Sequence, residues 1–183
     1  SLIDMPQDDR PITLEEFEEQ RRKHYGIPSG LAAALRQQES GGRQYDKGGG
    51  VLTSPKQAKG RYQVLKSTAT KYGLDPDDPF ENVEASFRYL SDLNKQVDPS
   101  VADPGERWAQ TLAGYHAGEG RLREVNKTGV LPATSDGQIR TDEYVASIMG
   151  RWQQHDQGQS GQQPTAQVNP AQPKTLAPQE QQR

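Results

Sequence analysis

The 183-residue sequence predicts a mostly α fold in which a long irregular segment, with at most a short β piece, follows the second helix. Two features predict this class. Apolar side chains recur at helical spacing in five stretches that open with helix-capping residues. Between residues 41 and 66 that spacing is lost, glycine and proline punctuate the chain, and only Tyr62, Val64 and Leu65 suggest an extended piece.

Each predicted helix has its own boundary signal. Thr13 and Glu16 form a capping box for the first helix, and Ser29 is the expected N-cap of the second. Proline at the first helical position marks the third and fourth, and Thr141 caps the fifth. The predicted helices are 13–26, 31–40, one opened by Asp78-Pro79, one from Asp103-Pro104 to Gly118, and one from Thr141 to about Trp152.

Composition predicts that the last part of the chain is not packed. Only 31% of the residues are apolar, against the ~45–50% (glycine included) of ordinary globular chains. Residues 153–183 are dominated by Gln, Pro, Gly and Ala, so they bury too little surface to offset their ordering entropy. We therefore expect a charged N-terminal helix or extension over 1–25, one domain over 26–152, and a disordered tail or linker over 153–183.

Charge and residue counts exclude several classes of partner. The net charge is -3, and basic side chains are interspersed with acidic ones. The sequence therefore has no basic stripe that could follow phosphates, and nucleic acid is not an expected partner. The absence of cysteine excludes disulfides and thiolate metal sites. No apolar run approaches the ~20 residues that span a bilayer, and the first residues lack a signal-peptide pattern. A start without Met suggests a processed chain or a fragment.

Glu39 is the residue whose surroundings first suggest chemistry. Leu31, Leu35 and Glu39 share one helix face, and Glu39 lies in the last turn, where the helix dipole is negative. Apolar neighbours and the dipole both disfavour the carboxylate, so the pKa of Glu39 should be raised. A carboxyl that stays protonated near neutral pH suits a general acid, although the spacing alone more often marks an inert helix end.

Several short motifs follow one another in a fixed order. They are Gln38-Glu39-Ser40-Gly41, Ser54-Pro55, Gly60-Arg61-Tyr62-Gln63, Ser67-Thr68-Ala69, Asn82 with Tyr89-Leu90 and Leu93, the Ala-Gly-Tyr-His-Ala-Gly-Glu-Gly-Arg block at 113–121, and Thr141-x-x-Tyr144-Val145. Each is weak alone. As an ordered set from about 26 to 152 they resemble the signature of lytic transglycosylases in the soluble lytic transglycosylase and goose-type lysozyme-like superfamily. The overlapping Tyr-His-Ala-Gly-Glu-Gly-Arg-Leu block at 115–122 is also similar to that of bacteriophage virion-associated members.

The resemblance implies a lysozyme-like helical domain that cleaves peptidoglycan glycan strands with no cofactor and no metal. Glu39 would protonate the MurNAc-β-1,4-GlcNAc oxygen, then accept the C6 hydroxyl proton as a 1,6-anhydro ring closes. The positions that match substrate-binding residues are Ser40, Tyr62, Gln63, Tyr115, His116 and Tyr144. Helix capping by Ser40 and core packing by Tyr115 and Tyr144 stay open as alternatives.

The sequence departs from the family pattern at two places. His116 stands where asparagine is usual, so the contacts of that asparagine must be made differently. Arg61 stands where leucine is usual in the Gly-Leu-Met-Gln-like segment, which suggests a more polar groove floor. Neither departure removes the resemblance, since Glu39 and Gln63 both match.

Two other functions remain open. A lysozyme-type hydrolase on the same fold would use a second acid, such as Asp46, to position water. A structural module of a virion would grip glycan strands without cutting them. The resemblance to phage proteins implies a virion-associated enzyme that opens the cell wall locally during phage entry, acting in the periplasm. The C-terminal tail would tether it to a larger virion or envelope assembly, and a bacterial periplasmic enzyme is the alternative setting.

Overall fold

Helices make up most of the chain. The structure, a computed structural model, describes residues 11–133 and 139–162. Within these ranges the elements are α1 (Leu14–Tyr25), α2 (Ser29–Ser40), β1 (Ala58–Lys59), β2 (Val64–Leu65), α3 (Lys66–Thr70), α4 (Pro79–Gln96), α5 (Pro104–Ala117), α6 (Glu119–Thr128) and α7 (Thr141–Gln162). The predicted mostly α class, with a short β piece in the excursion after the second helix, is confirmed.

The first two helices differ in how they begin. The capping box of α1 is present as predicted, because the Thr13 hydroxyl accepts the Glu16 N–H and the Glu16 side chain accepts the Thr13 N–H. In α2 the predicted cap is wrong. Ser29 is the first helical residue, and Pro28 precedes it without a side-chain hydrogen bond. Proline fixes an extended entry into the helix, so α2 starts without a side-chain cap.

Aspartates open α4 and α5 as predicted. Asp78 Oδ1 accepts the backbone N–H groups of Phe80 and Glu81 at 2.9 and 3.0 Å. Asp103 Oδ2 accepts the N–H of Glu106 at 2.9 Å, ahead of Pro104 in the first turn of α5. These carboxylates satisfy N–H groups that have no partner inside the helix.

Three helices differ from the sequence-based predictions, which contain neither the short α3 nor α6 and end α7 too early. The helix α6 is absent from the predictions because the Gly118-Glu119-Gly120 stretch has the composition of a turn. Gly118 instead ends α5 and begins α6 with φ 95°. The helix α7 continues beyond Trp152 to Gln162, so the predicted tail begins ten residues too early. Glutamine is an adequate helix former, which the composition argument overlooked.

The excursion between α2 and α3 is built on a small antiparallel hairpin. Ala58 pairs with Leu65 and Lys59 with Val64. Isolated bridges between Tyr45 and Val51 and between Thr53 and Lys59 extend the pairing. The excursion is therefore ordered by backbone hydrogen bonds in spite of its glycine and proline content.

The chain divides into two compact units, Ser1–Asp92 and Leu93–Arg183. The largest fully buried side chains in the first are Ile27, Leu31, Leu35, Tyr62, Val83, Phe87 and Leu90, and in the second Leu93, Val97, Leu112, Leu122 and Ile148. Within the first unit, Arg21 of α1 forms a two-pronged ion pair with Glu84 of α4. None of the described helices is long and apolar enough to cross a membrane. The predicted tail over 163–183 lies outside the described residues.

Candidate active site

Glu39 lies in the last turn of α2, one residue before the helix ends. Leu31 and Leu35 on the same face are fully buried, and Glu39 is half-buried. Gly41 ends the helix in the left-handed conformation (φ 69°). The predicted placement of Glu39 beside an apolar helix face in a final turn is confirmed, and the raised pKa of its carboxyl stays a prediction.

A cleft of about 320 Å³ lies at this end of α2. It brings together three residues that the sequence predicts for the site, Glu39, Ser40 and Gln63. Among the described residues that line it, Glu39 and Arg43 carry the ionisable side chains. The full lining is Gln38, Glu39, Ser40, Gly41, Arg43, Leu52, Thr53, Ser54 and Gln63.

Ser40 joins the end of α2 to the segment that carries Gln63. It is buried, and its hydroxyl donates to the carbonyl oxygen of Arg61 at 2.7 Å. The hydroxyl oxygen of Ser40 also accepts the backbone N–H groups of Gly42 and Arg43 at 2.9 and 3.0 Å. The hydroxyl is thus committed to the backbone, which agrees with the capping alternative better than with a sugar contact.

Gln63 reaches the cleft from a strained backbone. Its φ is 51°, a region that side-chain-bearing residues rarely adopt. The side-chain amide nitrogen donates to the carbonyl oxygens of Gly60 and Leu52 at 3.0 and 3.3 Å. Because both partners are acceptors, the NH₂ group must face them. The amide oxygen is then the atom of Gln63 available to accept from a ligand.

Two buried amides hold the turn ahead of Gln63. Gly60 has φ 72°, and a Cβ there would lie 2.5–2.7 Å from side-chain atoms of Gln44 and Asn82. Asn82 Nδ2 donates to the carbonyl oxygen of Lys59 at 2.8 Å, and its Oδ1 accepts the N–H of Tyr62 at 3.0 Å. Gln44 was missed by sequence reasoning, because nothing local distinguishes it from the other polar residues of the excursion.

The predicted substrate contact of Tyr62 is wrong. Tyr62 is fully buried, its ring packs edge-on against Phe87 with centroids 5.3 Å apart, and its hydroxyl donates to the carboxylate of Glu18. Burial, followed by the charge of Glu18, raises the pKa of the Tyr62 hydroxyl far above its usual range. A phenol buried in this way stays neutral and has no surface to offer a saccharide.

Arg61 does not form a polar groove floor either. Its Nε donates to Glu18 Oε1 at 2.8 Å, and its Nη1 donates to the carbonyl oxygen of Gly42 at 2.7 Å. Glu18, which sequence reasoning missed, also accepts a hydrogen bond from Nη1 of Arg36 to its Oε2 at 2.5 Å. A buried carboxylate requires such partners, so an arginine in place of the usual leucine was the available signal for it.

The remaining predicted residues lie in the second unit. The His116 ring stacks on Tyr144 with centroids 4.3 Å apart, and its Nδ1 lies 2.9 Å from the hydroxyl of Thr141. Thr141 is the first residue of α7, so its predicted role as N-cap is wrong. Tyr144 is 2% exposed, which agrees with core packing and gives no support for its predicted sugar contact. Tyr115 and His116 are half-buried on the last turn of α5, and their substrate roles stay predictions.

Asp46, the alternative second acid, closes a turn of its own. Its Oδ1 accepts the N–H groups of Gly48 and Gly50 at 2.9 and 3.0 Å. It is exposed and is not one of the lining residues of the cleft. Over residues 11–133 and 139–162, no group of three or more His, Cys, Asp or Glu side chains could hold a metal ion.

Comparison with known proteins identifies the family. Residues 16–131 match the transglycosylase SLT domain, and this chain belongs to that family. It is 28% identical over 78 residues to a membrane-bound lytic murein transglycosylase F of Pseudomonas fluorescens (strain Pf0-1), a match that covers 42% of this chain and 16% of the relative. Its fold is similar to that of an inactive mutant of lytic transglycosylase Slt from Pseudomonas aeruginosa. That likeness has a TM-score of 0.60 and 21% identity, and covers 81% of this chain and 24% of the other. The chain therefore spans a quarter or less of either relative.

Proposed function

We propose that this chain is a lytic transglycosylase that cleaves the MurNAc-β-1,4-GlcNAc bond of peptidoglycan and forms 1,6-anhydro-MurNAc. The observation that carries the proposal is the cleft at the end of α2, where Glu39 and Gln63 line the same space. A half-buried carboxyl on a regular helix is held in place more firmly than one on a loop. Membership of the SLT domain family supports the same reaction and the same substrate class.

Glu39 serves first as acid and then as base in this reaction. Its carboxyl gives a proton to the glycosidic oxygen, the bond from that oxygen to C1 of MurNAc breaks, and GlcNAc leaves with a free 4-hydroxyl. The C6 hydroxyl of the same MurNAc then attacks C1 and returns its proton to the Glu39 carboxylate. One carboxyl is sufficient because the nucleophile is already tethered to the reacting sugar.

The residues around Glu39 bind and position. The amide oxygen of Gln63 accepts a hydrogen bond from the N–H of an N-acetyl group, because its NH₂ is committed to Gly60 and Leu52. Ser40 and Asn82 hold the backbone that presents Gln63. Tyr115, whose motif matches the family, stays a proposed substrate-binding residue.

The products of peptidoglycan digestion test the proposal. Purified peptidoglycan is digested with the chain, and the released muropeptides are weighed by mass spectrometry before and after borohydride treatment. We expect 1,6-anhydro ends, which lack the mass of one water relative to hydrolysed ends and resist reduction. Mainly reducible ends would leave Glu39 as the acid but make this a hydrolase.

The hydrolase alternative is less well supported by the geometry. It needs a second carboxylate that positions water, and Asp46 is engaged in closing its own turn outside the cleft lining. Asp46→Asn should therefore reduce turnover only slightly. A non-catalytic glycan-binding module would give no muropeptides at all in the same digestion.

We propose that the chain acts in the periplasm on the cell wall, as part of a virion that opens the wall locally during phage entry. The His116-containing block at 115–122 supports this setting through its similarity to virion transglycosylases. The C-terminal tail would link the domain to a larger assembly. Detection of this protein with an antibody in purified virions, with a preparation from uninfected host cells as control, tests the setting. If the protein is absent from the virions, a bacterial periplasmic enzyme is favoured.

A further inference from the structure

We propose that Arg43 is a specificity-determining residue that binds a carboxylate carried on the lactyl side chain of muramic acid. This rests on the proposed function, since it names what else the same cleft recognises. The carboxylate belongs to the stem peptide where one is attached, and to the lactyl group itself where the peptide has been removed. Both sources present the same planar group to the protein.

Arg43 is held at the cleft by the residue that follows the catalytic candidate. Its backbone N–H donates to Ser40 Oγ at 3.0 Å, and its Nε donates to the Ser40 carbonyl oxygen at 3.1 Å. The first contact fixes the backbone of Arg43, and the second restrains its guanidinium through Nε. The exposed guanidinium is thus partly oriented before any ligand arrives.

The outer nitrogens of Arg43 remain available. Within the described part of the chain its hydrogen bonds are those of the backbone N–H and Nε, and none comes from Nη1 or Nη2. The contrast is with Arg61 and Arg36, whose Nη or Nε groups are committed to the buried Glu18. A planar fork with open N–H donors fits a carboxylate through two parallel hydrogen bonds.

The charge in the cleft fits this ligand and not the sugars alone. Among the described lining residues Arg43 is the basic one, and Glu39 is the carboxyl that the proposed reaction uses. N-acetyl sugars are neutral, so a cation contributes little to binding an unsubstituted glycan. Muramic acid differs from GlcNAc by its lactyl group at C3, on the same ring as the reacting C1, which places a carboxylate-bearing arm near the bond being cut.

Equilibrium binding in a Glu39→Gln background tests the inference without turnover. The probes are soluble peptide-bearing glycan strands and the same strands after carbodiimide coupling to methylamine, which removes carboxylate charge and keeps the peptide. Strands stripped by an amidase, with and without the same coupling, separate the lactyl source from the peptide source. Matched controls are Lys47→Gln, an exposed cation outside the cleft lining, and Arg43→Lys, which keeps charge but loses the fork.

We expect methylamine coupling to raise the dissociation constant about tenfold when Arg43 is present and less than about twofold in Arg43→Gln, since a charge-assisted pair is worth about one decade or more in affinity. Lys47→Gln should behave like the parent, and Arg43→Lys should lie between. An equal effect of coupling with and without Arg43 would overturn the inference.

Cleavage by the unaltered chain is assayed in parallel. Binding that does not depend on the carboxylate, together with normal cleavage, overturns this inference alone. Carboxylate-dependent binding without any cleavage overturns the proposed function instead.

Discussion

The carboxylate of Glu18 accepts a hydrogen bond from Nε of Arg61 at 2.8 Å, although the two residues are 43 positions apart. Glu18 lies on α1, and Arg61 lies beside the turn that presents Gln63. The contact therefore links the N-terminal helix to the candidate site. It also explains why this chain departs from the usual leucine at position 61, since a buried carboxylate must be compensated by donors.

Glu18→Gln should lower the free energy of unfolding by about 3–5 kcal/mol, because it leaves Arg61 and Arg36 facing an uncharged partner in a buried site. Urea unfolding followed by circular dichroism measures the change. The matched control is Glu19→Gln, whose ion pair with Arg22 is half-exposed and should be worth about 1 kcal/mol or less. Equal losses for the two variants would contradict a structural role for Glu18.

Glu39→Gln should leave the fold intact and reduce muropeptide release by at least about 10²–10⁴-fold. The amide keeps the shape of the side chain but cannot transfer a proton. Release is measured by chromatography of digested peptidoglycan, with thermal unfolding as the check on folding. Glu15→Gln, an equivalent change on an exposed residue of α1, is the control. A folded Glu39→Gln protein with nearly unchanged turnover would contradict the assignment of Glu39 as the catalytic acid and base.

Gly60→Ala should destabilise the chain more than Gly73→Ala. Both glycines have φ 72°, so both variants incur the cost of a left-handed alanine, about 1 kcal/mol. Only at Gly60 would the new Cβ meet Gln44 and Asn82, whereas nothing lies within 4 Å at Gly73. Overpacking should add about 1–3 kcal/mol, measurable by urea unfolding. Equal losses would show that the Gly60 turn is not confined by these two amides.

Gln63→Ala should lower kcat/KM about tenfold or more, without reaching the loss caused by Glu39→Gln. It removes an acceptor for the substrate and also the two hydrogen bonds that tie the side chain to Gly60 and Leu52. Kinetics on soluble glycan strands measure the effect. Gln37→Ala, on the exposed side of α2, should keep normal kinetics. Unchanged kinetics for Gln63→Ala would mean that the substrate does not use this side of the cleft.

Deleting 163–183 should leave the melting temperature unchanged, whereas deleting 153–183 should lower it. The first segment has Val168 and Leu176 as its larger aliphatic side chains, so it has little to bury. The second deletion also removes the last ten residues of α7, where Gln153, His155 and Asp156 are half-buried. Differential scanning calorimetry compares the two truncations. A clear loss on removing 163–183 alone would show that the tail packs on the domain.

Local chemistry made much of the fold predictable. Thr13 with Glu16 marks the start of α1, and Asp103 before Pro104 marks the start of α5, because caps satisfy N–H groups within a few residues of themselves. The same reasoning located Glu39 at the end of an apolar-faced helix. It failed for α6, since a glycine that ends one helix and starts another has the local composition of a turn.

What the sequence by itself determined is the helical class, most helix boundaries and the position of Glu39, all of which depend on spacing within one segment. The tertiary structure decided which segments meet. Tyr62 and Gln63 are adjacent and both matched a substrate-binding motif, yet Tyr62 is buried against Phe87 and Glu18, while Gln63 lines the cleft. The difference is set by a carboxylate on another helix, which attracts one side chain and leaves its neighbour free to face the cleft. No local pattern records that choice, because the hydrogen bond that makes it joins residues more than forty positions apart.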